Sequence, residues 1–209
     1  MLSAETPVTL ILLLLNVLVS AYALFSDPSL IGRLAFRPYQ ILRAKQYYRL
    51  ISAGFVHVGL GHLAFNMITL FFFGPQLELL LGSGGFAVLY LGSELAAHGL
   101  SLWLKRDDMN YSAVGASGAV SGVVLAFCLF FPFQRLFVFF IPMPALLFAV
   151  VYIVGSIYAM RQEGPEGPVG GIAHEAHLGG ALGGLILTIL IEPRAVNAFT
   201  SQVLSLLGG

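Results

Sequence analysis

The sequence predicts an all-α membrane protein, a polytopic bundle of six transmembrane helices, and three observations carry that expectation. Of 209 residues, 58% are hydrophobic and only 10% are charged, whereas a soluble domain carries about 25% charged residues. Mean hydropathy is +0.90. Six stretches, residues 7–25, 60–81, 86–104, 111–131, 144–160 and 171–191, approach the roughly 20 apolar residues that a helix needs to cross a bilayer. The same figures exclude a disordered chain, a collagen-like fibre and an ordinary cytosolic enzyme. Ten basic and ten acidic residues leave no formal net charge, so no basic stripe is available to nucleic acid. Cys128 is the one cysteine, which excludes an internal disulfide and a Cys-rich metal cluster.

The first stretch reads as a retained helix. No Lys or Arg precedes Arg33, and a cleaved signal peptide needs a positive leader and a small-residue cleavage site. The linker 26–56 carries Arg33, Arg37, Arg43, Lys45 and Arg49 among Leu, Phe, Tyr and Ile, as expected of a structure lying among lipid headgroups. The linkers 82–85, 105–110, 132–142 and 161–170 are short and marked by Gly, Pro or charge. The tail after Ile191 is short, and residues 1–209 read as one membrane domain with no separate soluble unit. No internal repeat is evident, which weighs against an inverted-repeat transporter. Eight basic residues fall on the side of the first, third and fifth loops, against Arg135 and Arg194 on the other. By the positive-inside rule the first loop would be cytoplasmic.

Polar groups inside the apolar spans are costly and need a reason. In the second span His62 and Asn66 are four apart, which stacks both on one helix face, while His57 falls on another. One such His is ordinarily an interhelical hydrogen bond; two donors on one face point further. In the fourth span residues Gly115–Gly122 (GASGAVSG) are nearly free of side chains. Close helix packing explains that segment by itself, and Ser117 is able to bond its own helix carbonyls. In the sixth span His174-Glu175-Ala176-His177 precedes glycines at 179, 180, 183 and 184. A glycine face on each of two helices brings backbones close, and a serine needs a base within about 2.6–3.2 Å to act as a nucleophile. The packing device is thus also what a membrane Ser–His pair requires.

A zinc helix places its histidines four apart around the glutamate; His174 and His177 are three apart, so no metal and no cofactor are expected. Glu78 follows Gly74-Pro75 and is expected to hold a neighbouring loop through backbone amides. Glu94 and His98, at i,i+4, are expected to bond each other.

Taken together, Tyr48-Arg49, His57-x4-His62-x3-Asn66, Gly115-x-Ser117-Gly118 and Ala176-His177-x2-Gly180-x3-Gly184 resemble the rhomboid intramembrane serine proteases over residues 47–191. The resemblance implies hydrolysis of a peptide bond in transmembrane protein substrates within the lipid bilayer. It implies a dyad in which Ser117 attacks and His177 is base, then acid. His62, Asn66, Gly115 and the Ser117 N–H would form the oxyanion hole, and Gly118, Gly180 and Gly184 would pack the helices around the site. It further implies a half-embedded first loop held by Glu78, a cap loop within 161–171, and a lateral gate at the fifth span. The N-terminus would be cytoplasmic and the first loop outside, against the charge count; an interfacial loop tolerates arginines by snorkelling. The compact architecture suggests a prokaryotic plasma membrane.

Two positions depart from the family pattern. Tyr48 replaces a common Trp. Ser121 stands where an aromatic ring often stacks on the catalytic imidazole, and is expected to hydrogen-bond His177 instead. That departure leaves room for an alternative: a weak or inactive relative that binds client helices. A small transporter or channel, using the buried His and Glu residues as a polar path, is the third class.

Overall fold

α1 (Pro7–Phe25) opens on a proline, which suits the first turn because its missing N–H has no intrahelical partner there. This arrangement comes from a computed structural model that describes residues 5–138, 141–162 and 173–207. Glu78 closes the start of α1. Its oxygens accept the Val8 and Thr9 N–H groups at 2.9 and 2.7 Å, and the Thr9 and Ser83 hydroxyls at 2.7 Å each. Glu78 therefore secures a helix start and not the first loop, as the sequence had suggested. The orphan N–H groups and positive dipole end of a helix N-terminus suit a carboxylate.

The second and third predicted spans form one run, α5 (Leu60–Leu104), broken at Gly82 with φ 70° and ψ 160°. Side-chain-bearing residues avoid that conformation. An unbroken 45-residue helix would reach about 67 Å, twice the hydrocarbon thickness. The break thus separates two crossings, and the expected linker 82–85 shrinks to a single non-helical residue.

Between α1 and α5 the first loop folds into α2 (Ser29–Leu34), α3 (Pro38–Ala44), α4 (Arg49–Ser52) and a 3-10 turn at Ala53–Phe55. Arg49 does not snorkel. It is 5% exposed and donates to Gly32 O, Ala35 O and Gln46 Oε1 at 3.1, 2.6 and 2.6 Å. A guanidinium carries enough donors to gather carbonyls that no helix or sheet satisfies. Phe36, Ile41, Ala53 and Tyr111 form a small apolar core beneath it.

The fourth span differs from its expected 111–131. Its helix, α6, begins only at Ser117 and ends at Phe130. Ala113 exchanges backbone bonds with Phe36 at 2.9 and 3.1 Å, and the Gly115 N–H donates to Ala53 O at 2.9 Å. Irregular backbone at membrane depth is tolerated where protein groups satisfy it, and the first loop does so here. Gly115, at φ +114°, cannot continue a helix upstream.

Beyond α6 the linker 132–142 contributes to two antiparallel strands, β1 (Arg135–Val138) and β2 (Ile141–Pro144). α7 (Ala145–Gln162) extends past its predicted end and takes in residues 161 and 162. The rest of the expected cap loop, 163–171, lies outside the described residues. α8 (His174–Ile191) is followed by α9 (Arg194–Leu207), which replaces the expected short tail. Gln202 Nε2 of α9 donates to Phe130 O at 2.9 Å, capping the end of α6.

α6 is the central helix, nearly every residue of it buried. α8 lies against it glycine to glycine: a Cβ on Gly180 would come within 2.7 Å of the Gly118 carbonyl carbon, and one on Gly184 within 2.6 Å of Gly122 O. On α5, Ala97 presses Gly118 and Ala96 presses Gly179. By contrast, α7 buries only Ala145 and Ser156. α1, α5, α7 and α8 are long and apolar enough to cross a membrane. With α5 crossing twice and α6 central, the architecture is the all-α membrane bundle expected.

Candidate active site

Ser117 is the first residue of α6, and His62 from the head of α5 sits against Gly115, two residues earlier. A Cβ on Gly115 would come within 2.7 Å of His62 Nε2, so that position needs glycine both for its φ and for the imidazole beside it. The Ala119 N–H is taken by Glu94 Oε2 at 3.0 Å. The N–H groups of Ser117 and Gly118, first in the helix, have no intrahelical carbonyl to meet.

The Gly115–Ser117 turn is secured from below by His57, a residue whose position off the His62 face had set it apart. His57 is fully buried. The Ala116 N–H donates to its Nε2 at 3.3 Å, which requires Nε2 to be bare. Nδ1 therefore carries the proton and donates to Ser20 Oγ at 2.9 Å, and Ser20 donates on to Phe55 O at 3.3 Å. Every partner is satisfied by neutral His57, and burial, followed by the nearby His62, pulls its pKa down to about 3.

Asn66 is buried and shares the His62 face as expected. Its Nδ2 donates to His62 O at 2.9 Å, which leaves its second amide hydrogen for another acceptor. Glu94 and His98 do meet, with Oε1 to Nε2 at 3.5 Å. His98 Nδ1 donates to Leu50 O at 2.8 Å, so the pair ties α5 to both the start of α6 and the first loop. A small cavity behind the serine is lined by Glu94, His98, Gly115, Ser117, Gly118 and Ala176.

His177 stands one turn before Gly180, and Ser117 stands beside Gly118. The Gly118–Gly180 contact consequently puts both at the same end of two touching helices. Glu175 turns elsewhere, to the Tyr111 hydroxyl and Ser101. Among the described residues no three His, Cys, Asp or Glu side chains are grouped to hold a metal ion.

Ser121 does not bond His177. Its hydroxyl reaches Ser117 O at 2.6 Å and Tyr152 Oη at 2.5 Å, because a short side chain one helical turn on lies next to its own i−4 carbonyl. The ring beside His177 comes from α7 instead. Tyr152 lies 6.3 Å from the imidazole, with the planes 20° apart, and His174 meets the imidazole edge-on at 6.2 Å and 81°. Sequence reading missed Tyr152. The fifth span carries two tyrosines, Tyr152 and Tyr158, and nothing in the sequence singles out the first.

The rhomboid domain family model matches residues 44–194. The chain is 32% identical over 187 residues to "Rhomboid protein 1, mitochondrial" of Saccharomyces cerevisiae, an alignment covering 86% of this chain and 52% of that protein. It is 34% identical over 155 residues to "RHOMBOID-like protein 12, mitochondrial" of Arabidopsis thaliana, covering 66% and 45%. A "Putative rhomboid protease YdcA" of Bacillus subtilis is 36% identical over 78 residues, 37% of this chain and 38% of that one. The chain thus spans about half or less of the length of these relatives. With the glycine-packed helices and the membrane architecture, these matches lead to one conclusion: the chain belongs to the rhomboid family.

Proposed function

We propose that this protein is an intramembrane serine endopeptidase that cleaves transmembrane segments with a Ser117–His177 dyad. The observation that carries the reading is the backbone contact of Gly118 with Gly180, which sets a hydroxyl and an imidazole at one end of adjoining helices, next to His62. Ser117 Oγ attacks the scissile carbonyl while His177 takes its proton. The carbon–nitrogen bond then breaks and His177 returns the proton to the leaving amine. Water, deprotonated by His177, next attacks the acyl-enzyme, and the ester bond breaks as His177 returns that proton to Ser117 Oγ. The oxyanion would be held by the Ser117 N–H, His62 and the spare amide hydrogen of Asn66, with Gly115 shaping the hole. In a water-poor site, loss of one such donor costs about 2.7–4 kcal/mol.

A substrate helix must give up its own hydrogen bonds to reach Ser117, so segments rich in helix breakers fit best; the resemblance to the rhomboid family further implies a small residue before the cut. The thinly buried α7 is the proposed entry gate, and residues 161–171 the proposed cap. We assign residues 1–209 to one membrane domain with an interfacial first loop facing outward. A prokaryotic plasma membrane is the proposed location; relatives come from a bacterium as well as from mitochondria.

The test needs no known substrate. Detergent-purified protein treated with a fluorophosphonate probe should carry the label on Ser117 by mass spectrometry, and Ser117→Ala and His177→Ala should carry none. Folded wild-type protein that takes no label would overturn the protease reading in favour of client-helix binding.

A further inference from the structure

We infer that Tyr152 of α7 is the positioning residue for the His177 imidazole, and that the seat of α7 therefore governs whether the base is aligned. This rests on the protease reading above. An imidazole joined to its helix by two rotatable bonds must be held at one rotation to meet Ser117, and among the described residues no carboxylate does so, since Glu175 is turned to Tyr111 and Ser101. Among the described residues, Tyr152 and His174 place rings beside His177. His174, on the same helix, meets it only at the edge. Tyr152 lies nearly parallel to it, within the 4.5–7 Å at which offset aromatic stacks form.

Tyr152 is itself fixed at both ends. Its hydroxyl meets Ser121 Oγ at 2.5 Å, and its ring rests on Phe148 one turn earlier, 5.5 Å away at 31°. Ser121 is in turn bound to Ser117 O. A continuous line therefore runs from the turn carrying the nucleophile, through Ser121 and Tyr152, to the base. The line crosses to α7 and back, and α7 is a helix with only two buried residues. An outward shift of α7 removes the ring and the hydroxyl contact together. The helix proposed to admit substrate is the same helix that aligns the base.

The experiment measures the rate at which a fluorophosphonate probe labels Ser117 in wild-type, Tyr152→Phe and Tyr152→Leu protein, across pH, with thermal midpoints recorded in parallel. A 1 Å misplacement of a reacting group costs on the order of 100-fold in rate, so loss of the ring is expected to slow labelling by roughly 10-fold or more. Tyr152→Phe, which keeps the ring, should stay within about 3-fold of wild type. Tyr152→Leu labelling at the wild-type rate would overturn the inference, as would Tyr152→Phe being as slow as Tyr152→Leu. A second readout does not depend on catalysis: the side-chain nitrogen NMR signals of His177 in a Ser117→Ala background. Adding Tyr152→Leu should shift them, whereas an unchanged spectrum overturns the positioning role. If wild-type protein takes no label, the protease reading fails, and the NMR comparison still decides the contact between Tyr152 and His177.

Discussion

The seam between α6 and α8 and the seat of α7 are built on opposite plans. Along the seam, backbone meets backbone: Gly118, Gly122, Gly180 and Gly184 leave no room for a methyl group. α7, although of spanning length, has open space around Gly155, where a Cβ would meet nothing within 4 Å. Small residues are how helices associate in lipid, where the hydrophobic effect offers little and close van der Waals contact must supply the attraction. On the proposed protease reading, the difference serves two requirements of one site. Ser117 and His177 would need a fixed separation, which the seam would supply. A helical substrate would need a way in, which a loosely seated helix would supply. The aromatic contact of Tyr152 is where the two plans touch.

Substituting glycines on each side breaks the comparison most directly. Gly184→Leu forces a side chain into the Gly122 backbone and should destabilise the fold by about 3 kcal/mol or more, read as a lower thermal midpoint in detergent and loss of Ser117 labelling. Next in size is Glu78→Gln. It places an NH2 group where four donors converge and should cost about 1.5–3 kcal/mol, while folded protein still labels, since Glu78 holds α1 and not the site.

His57→Gln should cost roughly 1 kcal/mol at pH 7.5 and slow labelling of Ser117 by loosening the Ala116 turn. It also sharpens a pH dependence. The folded protein holds His57 neutral down to about 3, whereas the unfolded chain protonates it near 6.5. Its contribution is therefore present above pH 6.5 and is lost as pH falls toward 3, with a slope of up to about 1.4 kcal/mol per pH unit. The glutamine variant should lack that part of the acid slope in denaturation measured across pH. The smallest expected effect has the opposite sign: Gly155→Ala in α7 should raise stability by about 0.5–1 kcal/mol, because it removes backbone freedom from the unfolded chain without a clash.

The all-α membrane class and the glycine faces were legible in the sequence because they depend on residue type at helical spacing. His62 over Asn66 and the i,i+4 pair of Glu94 and His98 follow from the same periodicity. The start of the fourth helix was not legible. Residues 111–116 are apolar enough to be helical, and their hydrogen bonds to Phe36 and Ala53, some 60–80 residues upstream, hold them instead as irregular backbone with one bridge at Ala113. Arg49 was misread for a related reason: composition describes an arginine as a surface charge, while three acceptors brought together by folding bury it.

By itself the sequence determined what must lie inside lipid, which helix faces are smooth enough to touch, and which residues are chemically able to serve as nucleophile, base and donors. Those properties belong to single residues and to spacings of three or four along one helix. Only the tertiary structure decided that Glu78 holds α1, that His57 supports the turn at Ala116, and that the ring beside His177 comes from Tyr152 and not from residue 121. Each joins elements distant along the chain. Local periodicity carries no information about the angle and register at which separate helices meet, and those alone decide which side chains come within a few ångströms.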